Sequence, residues 1–216
     1  MWLTAWATAR HLTGLALVAG TVIFGVGAAL YMRVRDKGGP VIFGQPPAVW
    51  LRLVHTHPRL WRWATVPFAA GVPVVVLAQT ELALLLRAAG DPGWAALGLV
   101  ATLFGAVPWL LTLASRLVVD PWAGERQAAT GAVPEIYEPL ARWNTAFFVI
   151  YTIMTFTGLV AFGLAFLATT VLPGWFGWVA IVYGVAGLVL LATTRDAPPF
   201  VHYLMTLAIG ILLLVG

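Results

Sequence analysis

Apolar residues run through this chain in stretches of seventeen to thirty positions, separated by a few polar segments. A bilayer core of about 30 Å is crossed by roughly 20 apolar helical residues. On that measure the pattern predicts six membrane-spanning helices, at Leu3–Met32, Leu60–Leu86, Gly93–Val119, Trp143–Val171, Trp175–Thr194 and Pro199–Val215. The expected fold is all-α, a polytopic transmembrane bundle of about six helices forming a single domain over residues 1–216. Between the first two spans, Pro46–Trp63 mixes Trp50, Leu53, Val54, Trp61 and Trp63 with Arg52, Arg59 and Arg62. That mixture predicts a short interfacial helix, started by Pro47 and broken by Pro58.

Composition supports the membrane reading. Of 216 residues, 61% are hydrophobic and only 9% are charged, whereas a water-soluble domain carries about 25% charged residues. Membrane lipid is therefore the expected surrounding partner, and the net charge of +4 reflects topology rather than nucleic-acid binding. One set of connections carries Arg33, Arg35, Lys37, Arg52, Arg59, Arg62, Arg116, Arg126, Arg142 and Arg195; the opposite set carries Arg10 and Arg87. By the positive-inside rule the long segments between spans one and two and between three and four are cytoplasmic, with both termini outside. No basic residue precedes Arg10, and the first apolar stretch is longer than the core of a signal peptide. Many of the eleven tryptophans, including Trp2, Trp94, Trp122, Trp143 and Trp175, fall near predicted span ends, where aromatic belts anchor helices.

Helices in lipid associate through small residues that let backbones approach. Span one carries such a face at Ala7, His11, Gly14, Val18, Thr21, Gly25 and Ala28; span five carries Gly177, Ala180, Gly184 and Gly187. Pro67, Pro73 and Pro108 predict bends in spans two and three.

An ionisable residue inside a span needs an explanation, and two polar clusters are expected. Near the outer face, Arg10 and Glu81 lie at similar depth, roughly 10 and 8 Å from their span ends, and are expected to pair with His11 beside them, holding a polar ligand head or simply pinning two helices. Near the inner face, His55, His57, His202, Asn144 and Tyr151 gather on one side of the sequence pattern. Histidines there can ligate a metal or a haem iron, although their spacing matches no zinc pattern. Arg116 with Asp120, and Glu138 with Arg142, are four apart and read as helix-end pairs.

Sharper motifs are missing. The chain contains no cysteine, which removes disulfides and thiolate chemistry, and none of the nucleophile-elbow, zincin, phosphate-loop or dinucleotide signatures occurs. Its one lysine, Lys37, lies outside every predicted span. No reaction is identified, so the sequence leaves an enzyme undecided. The C-terminal stretch Leu172-Pro-Gly-Trp-Phe-Gly-Trp, with Tyr183-Gly184, Pro198-Pro199, Tyr203 and Ile209-Gly210, resembles a family of small bacterial multi-helix membrane proteins of unknown function. That resemblance implies a bacterial inner-membrane protein and assigns no site. Three functions remain from the residues: a bundle binding a small amphipathic or lipid-like ligand through Arg10, His11 and Glu81; a b-type haem protein using the histidines; and a small transporter. Association into a homo-oligomer stays open.

Overall fold

A computed structural model describes residues 2–34, 46–195 and 200–216. All its regular elements are helices: α1 (Trp2–Val34), α2 (Pro47–Thr56), α3 (Pro58–Ala88), α4 (Trp94–Thr130), α5 (Tyr137–Ala168), α6 (Gly174–Thr194) and α7 (Val201–Val215). Five of these, α1, α3, α4, α5 and α6, are long and apolar enough to cross a membrane. Arg35 and Lys37, residues 196–199, and the side chains of residues 2–5 lie outside what is described.

The helices form a ring in which α1 packs on α3, α3 on α4, α4 on α5, α5 on α6, and α7 returns to α1. Glycine faces glycine at four of these seams. A β-carbon added to Gly71 (α3) would stand 2.9 Å from the carbonyl oxygen of Gly20 (α1). The equivalent separation is 2.9 Å from Gly158 (α5) to Gly98 (α4), and 2.8 Å from Gly177 (α6) to Gly163 (α5). It is also 2.8 Å from Gly14 (α1) to Gly210 (α7). Without a hydrophobic drive between helices in lipid, such close approach maximises dispersion contact.

The α3–α4 seam is held instead by large aromatics. Phe68 meets the edge of Trp109 at 6.4 Å, and buried Trp61 donates its indole N–H to the Arg116 carbonyl at 2.8 Å. Gln79 of α3 and Thr102 of α4 line the same interior cavities. Pro67 and Pro73 lie within α3, and Pro108 and Pro121 within α4, and both helices run through them without a break.

The short helix is present, starts at Pro47 as expected and ends at Thr56, before Pro58. Its Leu51 and Val54 are fully buried, and α2 packs against α4. The sixth apolar segment is helical and short. Its 15 residues reach about 22 Å, short of a bilayer core. Tyr183, near the middle of α6, donates to the carbonyl of Val201 at 2.7 Å, so α7 begins at mid-height in the bundle and rises alongside α1.

These contacts give a contrast between two glycines. Gly71→Ala should lower the unfolding temperature in detergent, with a loss of about 1–3 kcal/mol from overpacking. Gly25 has open space where a side chain would go, so Gly25→Ala should raise it slightly, by up to about 1 kcal/mol of helix propensity.

Candidate functional site

Two polar centres lie inside the bundle, one at mid-height and one at the end bearing α2. The mid-height centre is built around the start of α7. His202 is 8% exposed and Tyr151 is 3% exposed, with Tyr151 Oη and His202 Nε2 joined by a 2.9 Å hydrogen bond. Tyr151 is fixed from behind, its ring stacked on Trp109 at 4.8 Å and 11°. His202 meets Phe156 edge-on, while the following residue, Tyr203, stacks on Phe24 of α1 at 3.7 Å. Both partners are therefore locked by packing before any ligand is considered.

Two adjoining cavities open on this pair and share Gln79, Thr102, Thr155 and His202 as walls. They measure about 20 Å³ and 10 Å³, each enough for the centre of one water. The first runs towards Tyr151 and Tyr203. The second runs the other way, between Leu17, Leu82, Leu159, Phe162 and Ile209. Gln79 is 9% exposed, and its Oε1 is buried without a hydrogen-bond donor.

The second centre lies where α2 crosses α4. Asp120 is 2% exposed; its Oδ2 accepts from Trp50 Nε1 at 2.9 Å and its Oδ1 from Tyr137 Oη at 3.1 Å. One turn earlier, the Arg116 guanidinium sits 5.3 Å from the Trp50 ring and 5.8 to 5.9 Å from the rings of Tyr31, Trp61 and Trp109. Cations over aromatic faces gain about 2 kcal/mol or more when desolvated. Gln127 Nε2 adds a bond to the Ala48 carbonyl at 3.1 Å. The arrangement ties α2 to the bundle.

The residues expected in the outer cluster are apart. Glu81 is exposed on an outward stripe of α3 with Leu77 and Leu84. Arg10 turns instead to α7, its Nη2 donating to the Leu212 carbonyl at 3.4 Å, where a cation suits the carbonyl end of a helix. His11 is exposed and bonds its own helix, with Nδ1 2.7 Å from the Ala7 carbonyl. Arg10 and Glu81 do not form the expected pair; among the described residues the ion pair found is Arg142–Glu138 at 2.8 Å, which the i,i+4 spacing did predict.

The inner cluster divides likewise. His55 and His57 are exposed, with His57 at the break between α2 and α3. Asn144 donates to Ser115 at 3.0 Å, bridging α5 to α4. Only Tyr151 and His202 meet, at mid-height rather than near the inner face, because α7 begins there. This geometry does not suit bis-histidine ligation of a b-type haem: His11, His55 and His57 are exposed and apart from His202, whose Nε2 is engaged by Tyr151. Among the described residues no group of three or more His, Cys, Asp or Glu side chains can hold a metal ion.

Gln79, Trp50 and Tyr137 did not stand out in the sequence. Gln79 carries a legible signal, since it shares a helical face with Val72, Val75, Leu82 and Leu86, all buried. Arg116 and Asp120 were visible as a pair but not as a buried one.

No family model matches the chain, and neither a curated protein nor a solved structure matches it. Fold and site together define a multi-pass helical membrane protein with a polar centre enclosed at the middle of its bundle.

Removing the bond from Trp50 leaves a buried carboxyl oxygen of Asp120 unsatisfied, which costs about 1–3 kcal/mol. Trp50→Phe should therefore destabilise the protein by that amount in chemical denaturation.

Proposed function

We propose that the chain binds a small amphipathic molecule at the mid-height centre, as a multi-pass protein of the bacterial inner membrane. The observation that carries this reading is the two-sided character of the enclosed space. Gln79, Thr102, Thr155 and His202 make a polar wall, and the second cavity continues from it between aliphatic and aromatic side chains. A head group with an attached apolar tail matches that sequence of surfaces. Ligand sites for larger molecules run to about 300–1,000 Å³, so the bundle must open to admit one. The short α7, which makes only slight contact with α6, is the element whose displacement would do so. The experiment is extraction and mass spectrometry of protein purified in mild detergent. One amphiphile should be enriched over bulk membrane lipid and lost in Ala106→Leu, which fills the first cavity. Identical lipid profiles for the two proteins would sink the reading.

The excess of basic residues at the α2 end favours its lying in the cytoplasm, with both chain ends outside. Because the chain has no cysteine, single cysteines report sidedness without background. Ala132→Cys should react with a membrane-impermeant maleimide only after the cells are permeabilised, and Pro92→Cys in intact cells; the reverse pattern would invert the topology.

A further inference from the structure

The outer surface of the α1–α3 pair carries two ionisable side chains that the fold turns away from the bundle. Glu81 and His11 are exposed, and among the described residues neither takes part in an ion pair. They stand at one level. The two helices run antiparallel, with Gly27 against Ala64 and Gly20 against Gly71. Counting outward from that seam brings Glu81 level with Arg10, the residue before His11. Leu84 lies farther out on the Glu81 stripe and Leu77 farther in, both exposed, so the carboxyl group sits within the apolar band. An ionisable group held there is costly unless it meets a partner.

Within one copy the two groups lean the same way along the surface and do not face each other. Residues seven apart are nearly two full turns apart and share a column. Glu81 continues the column of Val74, whose side chain lies against Gly20, and so leans from α3 towards α1. His11 continues the column of Val18, which lies against Gly210 of α7, and so leans to the edge of α1 away from α3. A two-fold axis along the membrane normal keeps every residue at its own depth and reverses the order of elements along the shared face. Set against the exposed stripe of Leu15, Val22 and Val26, that axis packs α1 on its counterpart. It also turns Glu81 of each copy towards His11 of the other. The bonding groups match. A carbonyl only accepts, so His11 Nδ1, 2.7 Å from the Ala7 carbonyl, carries a hydrogen. Nε2 is left to share one proton with a carboxyl group. We propose that this face joins two copies of the chain, with Glu81 and His11 paired across the interface twice.

The test counts copies of the full-length, fluorescently tagged protein in liposomes of phosphatidylethanolamine and phosphatidylglycerol by single-molecule photobleaching. Pairs should accumulate as protein density in the bilayer rises. Glu81→Leu and His11→Leu should each weaken association by about ten-fold, the effect of losing two hydrogen bonds within a membrane. A mixture of these two variants recovers one of the two bonds and should associate more tightly than either variant alone. Because the chain has no cysteine, the face can also be located with the pair intact. Copper–phenanthroline oxidation should link Leu15→Cys to its own copy, and should not link Val182→Cys, on the exposed side of α6. That second measurement does not require the leucine variants to fold. A parent protein that stays single at every density would overturn the proposal. So would linkage through Val182→Cys in place of Leu15→Cys, or association unchanged in both leucine variants. A single copy that retains phosphatidylethanolamine and releases it in Glu81→Leu would overturn it as well, because an amine-headed lipid would then cover the face.

Discussion

The fold depends on backbone-to-backbone contact at facing glycines. A water-soluble helix bundle gains its cohesion by removing side chains from water, but lipid tails compete on equal terms with leucine, so that gain is absent here. Dispersion between closely approaching backbones replaces it, and it falls off steeply with separation. The pairs Gly20–Gly71, Gly98–Gly158, Gly163–Gly177 and Gly14–Gly210 therefore fix the spacing of most of the ring. At the α3–α4 seam, Trp61, Phe68 and Trp109 make the contact instead.

The two centres divide the work of handling buried polarity. Asp120 has both oxygens occupied, and Arg116 is wrapped in rings. A carboxylate with both oxygens met in this way rigidifies its surroundings, although Gln127 Oε1 beside it finds no donor. The mid-height centre is only partly satisfied. Tyr151 and His202 meet each other, yet Gln79 Oε1 does not find a donor. A buried polar group left short in this way is costly.

The fold was largely legible in the sequence and the site was not, for one physical reason. Apolar length is set by bilayer thickness, so the five long helices, the start of α2 at Pro47 and the break at His57 followed from hydropathy and proline alone. Which face of a helix points inward does not follow from hydropathy, because lipid and protein interior are both apolar. Glu81 illustrates this. It lies next to the small face of Gly71 and Ala78, yet a rotation of about 100° per residue turns it to the outward stripe of Leu77 and Leu84. Gln79, on the opposite side, faces the cavity. Position along the helix axis was equally hidden for His202. Its place in the sequence suggests the inner face, and only the mid-height start of α7 puts it opposite Tyr151.

The Gly14–Gly210 contact has a consequence for assembly. The other three glycine seams join helices that are close in sequence, so each can zip together while the chain is still being inserted. The α1–α7 seam joins residues 196 positions apart, and it can form only when α7 has emerged. His202 arrives on that same helix. Until the ring closes, Tyr151 and Gln79 face a gap rather than a wall, and the site exists only in a chain that has finished folding.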